Sequence, residues 1–172
     1  MINYDLTQIK ALFFRCRRST ERRNNLFASR RRAHAFCQYQ RRICAAAGCE
    51  MRTACGHYHR GKDEAVRKRY EGLGIKDVYL GAAVKTREYK ELLEKYNLKP
   101  EEVLYMGDDI PDYEVMQLVG LPCCPADAAP EIKAISKYIS HRQGGYGCGR
   151  DVIEQVLKAQ RKWMAGQAAF GW

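Results

Sequence analysis

The chain has 172 residues, 46% of them apolar, and a formal net charge of +10, a size and composition suited to one soluble globular domain. No apolar run approaches the roughly 20 residues that cross a bilayer. The opening Met-Ile-Asn-Tyr-Asp-Leu lacks the basic and apolar regions of a secretory signal, so a cytoplasmic protein with reduced thiols and no membrane partner is expected.

The basic excess is confined to one stretch. Residues 15–62 hold twelve Arg, one Lys, two acids and five of the eight Cys, a net charge of +11 that leaves −1 for everything else. That stretch has no Pro and no Val, and its only Ile is Ile43. The remainder has the composition of an ordinary α/β protein.

Residues 8–14, Gln-Ile-Lys-Ala-Leu-Phe-Phe, form a short apolar run that predicts a buried strand. Between Arg15 and Gly61 neither a helical nor a strand period is sustained, which predicts irregular structure that cannot supply a buried central strand. Asp63–Leu73 reads as a helix closed by Gly74. Asp77–Gly81 reads as a short strand. Tyr89, Leu92, Leu93 and Tyr96 share one face of a helix that Pro100 ends. Val103–Met106 is a fully apolar strand, and Ile110–Val119 a helix with Pro111 in its first turn. Leu121–Cys124 is a short strand, Pro130–Lys137 a helix opened by Pro, and Tyr138–Ser140 another short strand. A loop from Gly144 to Gly149 leads into a last helix from Arg150 to about Met164. Alternating strands and helices predict an α/β fold, a parallel sheet covered on both faces.

Gly107-Asp108-Asp109-Ile110-Pro111-Asp112 follows directly on the buried strand 103–106. In open α/β sheets ligands bind beyond the carboxyl ends of strands. Three carboxylates on such a loop and first turn can face one point, a hard-oxygen set suited to Mg²⁺ and a substrate phosphate. The plainer alternative is that Asp109 caps the following helix and Asp112 favours its dipole; one cap accounts for one Asp, not three.

This Gly-Asp-Asp-x-x-Asp segment resembles the fourth motif of the haloacid dehalogenase superfamily. Lys85, in Gly81-Ala82-Ala83-Val84-Lys85, resembles the third. Gly144-Gly145-Tyr146-Gly147-x-x-Arg150 is similar to the tail of a capless subfamily, the 3-deoxy-D-manno-octulosonate 8-phosphate phosphatases, and the short interval from Lys85 to Asp108 leaves no room for a cap. The resemblance covers residues 1–14 and about 63–164 of a single domain spanning 1–172. It implies a Rossmann-like three-layer α/β/α core. It further implies a Mg²⁺-dependent phosphatase acting on a phosphorylated sugar acid in lipopolysaccharide sugar biosynthesis, assembled as a homotetramer. On it, Asp108 and Asp112 would bind metal, and Lys85 and Asp109 would belong to the catalytic machinery. Gly144, Gly145, Gly147 and Arg150 would close on substrate.

The front of the chain departs from that pattern. The superfamily places Asp-x-Asp after the first strand, the first Asp attacking phosphorus and the second serving as general acid/base. Here Phe14 is followed by Arg15-Cys16-Arg17-Arg18, and the second motif, a strand ending in Thr or Ser and Gly, is missing before Lys62. Synonymous codons for residues 14–21, read one base later, spell Phe-Asp-Val-Asp-Gly-Val-Leu. Residues 38–44 likewise give Asn-Ile-Lys-Asp-Gly-Tyr, and residues 51–61 give Cys-Gly-Leu-His-Val-Ala-Ile-Ile-Thr-Gly-Gly. All three use the same shifted frame, which points to a frame error near Phe14 restored near Gly61–Lys62 and to a chain without its nucleophile.

Two readings of another kind attach to residues 15–62. Cys44, Cys49, Cys55, His57 and His59 could be zinc ligands, although their spacings depart from the usual paired pattern. The Arg-rich run could bind nucleic acid, non-specifically through phosphate.

Overall fold

The computed structural model describes residues 2–15, 54–59, 68, 77–80, 85–144 and 146–163. Among these, six parallel strands form one sheet in the order β3-β2-β1-β4-β5-β6. They are β1 (Ala11–Arg15), β2 (Ala54–His59), β3 (Asp77–Leu80), β4 (Val103–Met106), β5 (Leu121–Cys124) and β6 (Tyr138–Ile139). From β1 the chain steps outward to β2 and β3, then returns to β4 on the other flank of β1. The crevice beyond the carboxyl ends of β1 and β4 is therefore a topological switch point, the usual ligand position of an open α/β sheet.

The strands sort their side chains by the two-residue period of extended backbone. Leu12 and Phe14 of β1 join Leu104 and Met106 of β4 in one apolar layer. Ala11 and Phe13 join Val103 and Tyr105 in the other. Helix α4 (Cys148–Ala159) closes the first layer with Val152, Ile153, Val156 and Leu157. Helices α1 (Lys85–Tyr96), α2 (Tyr113–Leu118) and α3 (Pro130–Ile135) close the second with Tyr89, Leu92, Val115, Met116 and Ile132. The result is the expected three-layer α/β/α arrangement.

One expectation is overturned. Ala54–His59, inside the stretch expected to be irregular, is a strand between β1 and β3, with Phe13 opposite Gly56 and His57 opposite Val78. A parallel ladder is made by backbone N–H and C=O groups. Ala-Cys-Gly-His-Tyr-His contains no Pro, so every residue of the segment has an N–H to give.

Boundaries elsewhere shift for local reasons. Residues 6–8 form a 3₁₀ turn whose N-cap, Asp5, accepts from Thr7 N at 3.0 Å, so β1 starts at Ala11 and extends to Arg15. Helix α1 stops at Tyr96, not at Pro100, because Asn97 turns left-handed (φ 49°) and Leu98 N closes on Leu93 O at 2.9 Å. The segment expected as a helix from Ile110 opens as a 3₁₀ turn, Ile110–Asp112, before α2. Helix α4 begins at Cys148, two residues before Arg150, because Gly147 makes the entry at φ 99°. It ends at Ala159, short of Met164, where Lys162 N bonds Leu157 O at 2.8 Å around left-handed Arg161. Of the helix expected at Asp63–Leu73 only residue 68 is described, and it is helical.

Leu104, fully buried at the middle of β4, gives the first prediction. Leu104→Ala should lower unfolding free energy by about 2–5 kcal/mol, read from urea denaturation. A second concerns Tyr89. Burial, with a smaller push from Glu101, raises its hydroxyl pKa from 10.0 to about 12. The folded state thus disfavours the phenolate, and the stability this supplies is intact below pH 10 and lost as pH rises from 10 to about 12. In Tyr89→Phe the loss of stability across that window should be shallower than in the parent chain.

Candidate active site

Strand β4 delivers the chain to Gly107, where a side chain would not fit. A Cβ there would stand 2.6 Å from Asp112 Cβ and 2.7 Å from Met116 Sδ. The loop can therefore fold back over its own following turn. Asp109 caps that turn, accepting from Ile110 N at 2.9 Å. Asp112, the last residue of the turn, reaches back to accept from Asp108 N at 3.2 Å and Asp109 N at 3.3 Å through Oδ2. Gly107 and the cap thus place the three carboxylates at one end of β4.

Asp112 is wholly buried. Its Oδ1 accepts from the Tyr105 hydroxyl at 2.9 Å and from Lys85 Nζ. Its Oδ2 accepts, besides the two amides, from Arg15 Nη1 at 2.9 Å. Five donors on one carboxylate fill its roughly four lone-pair sites, and two of them carry positive charge. The same Arg15 nitrogen lies 2.9 Å from Asp108 Oδ1 and 3.8 Å from Asp109 Oδ2. Asp108 is nearly buried, while the Asp109 side chain is 56% exposed.

The charges perturb one another. Burial would lower the Arg15 guanidinium pKa, but the carboxylates of Asp112 and Asp108 outweigh it and hold the pKa above its ordinary value. For Lys85 burial prevails and pushes the ammonium pKa down. Asp112 opposes that shift, and Arg15 adds to it. Among the described residues two cations and three carboxylates share the crevice, and Arg15 Nη1 lies within 3.8 Å of all three carboxylates.

The structure brings Lys85, Asp108, Asp109 and Asp112 together. Arg15, at the position where the resemblance expects the nucleophile, enters the cluster, and so does Tyr105, which sequence reasoning did not assign to it. Tyr105 left a signal, since a Tyr in an otherwise aliphatic buried strand needs a partner for its hydroxyl. The Gly-rich tail connects less directly. Asp108 O accepts from Ala129 N at 3.0 Å, Ala126 N donates to Arg142 O at 3.0 Å, and Gly144 N donates to Asp127 Oδ1 at 2.8 Å. The loop after β5 therefore joins the carboxylate loop to the tail. Gly147 forms the entry to α4, and Arg150 lies on its first turn with Nε 3.6 Å from Glu154 Oε2. Gly145 lies outside the described residues, as do Cys44 and Cys49. Cys55, His57 and His59 alternate along β2.

A nearby Ser140, His141 and Asp151 set does not form a nucleophilic relay. The buried Ser140 hydroxyl donates to Asp151 Oδ2 at 2.7 Å, as does the Tyr138 hydroxyl, also at 2.7 Å. These bonds anchor β6 to α4.

A divalent cation does not fit this donor set as the chain stands. Asp112 has its acceptor sites filled, and Asp108 Oδ1 faces a guanidinium. Among the described residues no group of three or more His, Cys, Asp or Glu side chains is arranged to hold a metal, and none of their helices is long and apolar enough to cross a membrane.

Removal of the central carboxylate supplies the next prediction. Asp112→Ala should cost about 3–5 kcal/mol, because it removes the carboxylate that Lys85 donates to and one of the two that Arg15 contacts at 2.9 Å. Tyr105→Phe, which deletes one bond to the charged group, should cost about 1.5–3 kcal/mol. Both are measured by denaturant unfolding.

Residues 62–145 fit the haloacid dehalogenase-like hydrolase family. The 3-deoxy-D-manno-octulosonate 8-phosphate phosphatase of Salmonella typhi is 41% identical over 101 residues, which are 59% of this chain and 54% of the relative. The chain thus aligns with about half the length of the curated relatives it matches. The fold is that of the same phosphatase from Moraxella catarrhalis, solved with magnesium, phosphate and KDO (TM-score 0.73, 20% identity, 94% of this chain and 92% of that one). It is also that of the cobalt-bound deoxy-D-mannose-octulosonate 8-phosphate phosphatase of Haemophilus influenzae (TM-score 0.76, 19% identity, 98% of this chain and 99% of that one). The Lys85 and Asp108–Asp112 cluster lies inside the segment, residues 62–145, that matches the haloacid dehalogenase-like hydrolase family, and the chain is similar to the 3-deoxy-D-manno-octulosonate 8-phosphate phosphatases.

Proposed function

We propose that this chain carries the binding half of a capless sugar-acid phosphatase and, as it stands, does not turn over. The observation that carries this reading is Arg15. It ends β1 at the switch point and sets its guanidinium 2.9 Å from both Asp108 and Asp112. The haloacid dehalogenase chemistry that the sequence resembles uses a carboxylate nucleophile there. A guanidinium has no lone pair to attack phosphorus and does not lose its proton in proteins.

The remaining parts suit a phosphorylated sugar acid such as 3-deoxy-D-manno-octulosonate 8-phosphate, handled in the cytoplasm for lipopolysaccharide sugar synthesis. Lys85, nearly buried and beside the carboxylates, would face the phosphoryl group. Arg150 and the loop from Gly144 to Gly147 would close on substrate in a homotetramer.

Residues 15–62 are proposed to be an out-of-frame reading. The match to the hydrolase family begins at residue 62. Strand β2, Ala54–His59, lies where the shifted frame spells His-Val-Ala-Ile-Ile-Thr, a far better buried strand. The shifted frame also replaces Arg15 and Arg17 by Asp. Mg²⁺ belongs to that restored chain, where a carboxylate at position 15 would join Asp108 in holding it.

Loss of a nucleophile costs on the order of 10⁴–10⁶ in rate. The purified chain should therefore show no significant hydrolysis of sugar-acid phosphates with Mg²⁺, and turnover near one per second, roughly a normal enzymatic rate, would sink the reading. Correcting both frame changes should restore Mg²⁺-dependent hydrolysis, and Asp108→Ala should abolish it. A corrected protein that folds but hydrolyses no sugar-acid phosphate defeats the family-based function. A stop codon in the shifted frame defeats the frame explanation.

A further inference from the structure

We propose that the Arg15 guanidinium is the resident cation of the Asp108–Asp109–Asp112 cluster, so that this chain binds no divalent metal there and its folded state does not depend on one. The inference concerns the chain as it stands and needs no substrate, so it does not rest on the phosphatase reading.

One nitrogen, Nη1, stands 2.9 Å from Asp108 Oδ1, 2.9 Å from Asp112 Oδ2 and 3.8 Å from Asp109 Oδ2. The Asp112 contact is a charge-assisted hydrogen bond and the Asp108 contact an ion pair. A Mg²⁺ ion needs oxygens with free lone pairs at about 2.0–2.1 Å. Asp112 has none to give, because Tyr105 and Lys85 fill Oδ1 while Arg15 and two backbone amides fill Oδ2.

To admit an ion the chain would have to expel Arg15 from its two carboxylates. The displaced guanidinium, on a side chain only 17% exposed, would then sit beside both the ion and Lys85, and like charges at such range repel strongly. The protein's own cation therefore excludes the metal on two grounds, occupied ligands and repulsion. Removing it has the opposite effect. Arg15→Ala takes away the guanidinium that contacts Asp108 Oδ1, and with it the repulsion that an incoming divalent ion would meet.

Mn²⁺ binding to the full chain, read by the electron paramagnetic resonance signal of the free ion, tests this. The parent chain should bind no stoichiometric Mn²⁺ in the millimolar range. Arg15→Ala should gain one equivalent, at least about tenfold tighter than anything in the parent, and the gain should vanish in Arg15→Ala with Asp108→Asn. Arg15→Lys, which keeps the charge, should behave as the parent does. One equivalent bound by the parent and lost in Asp108→Asn overturns the proposal. So does an Arg15→Ala protein with parental circular dichroism and no added binding. If Arg15→Ala does not fold, the parent and Asp108→Asn decide alone: equally weak binding by both supports the proposal.

Discussion

The buried carboxylate of Asp112 is the constraint on which the rest of the site depends. It receives Lys85 from α1, Arg15 from β1, Tyr105 from β4 and two amides from its own loop. A charge wholly removed from water is tolerated only when paired and hydrogen-bonded. The bonds that satisfy it also fix where β1 and β4 end relative to each other and where α1 begins. The backbone consequence is Gly107, whose missing side chain lets Asp112 fold under the loop.

That arrangement is indifferent to the chemistry it was expected to serve. A carboxylate cluster at a strand end needs a countercharge, and any cation of suitable reach can provide it. In the solved phosphatases of similar fold the crystals hold magnesium or cobalt. Here a guanidinium on the neighbouring strand does so, with two nearly equal contacts. The architecture is retained with a guanidinium at the end of β1. Fold and function are separable in such a site, because the sheet is set by apolar layers and backbone pairing, whereas chemistry depends on particular atoms at one strand end.

Strand β2 makes the same point for the sheet. Its six residues lack the β-branched run that marks a buried strand, yet they pair with both β1 and β3. Strand propensity mostly measures how side chains pack on neighbours, while the ladder itself is made by main-chain groups common to all residues but Pro. A slot between two parallel strands leaves unpaired donors and acceptors on each side, and a Pro-free segment can fill it.

The sequence alone determined the strands β4 and β5, the apolar face of α1, the α/β class and the carboxylate loop, because each rests on a local period or a short contiguous motif. The three Asp residues were legible for the same reason, whereas Lys85 was singled out only through the family resemblance. Only the tertiary structure decided what Arg15 does. Nothing in Phe14-Arg15-Cys16 says that the guanidinium turns toward residues 93 and 97 positions later, since that contact exists only once β1 and β4 lie side by side. It likewise decided that Ala54–His59 is a strand, a result of the vacancy beside β1 and not of the segment's own pattern. Tyr105 lies between the two cases. Its need for a partner is written in the strand, and the identity of that partner is set by the turn that brings Asp112 beneath it.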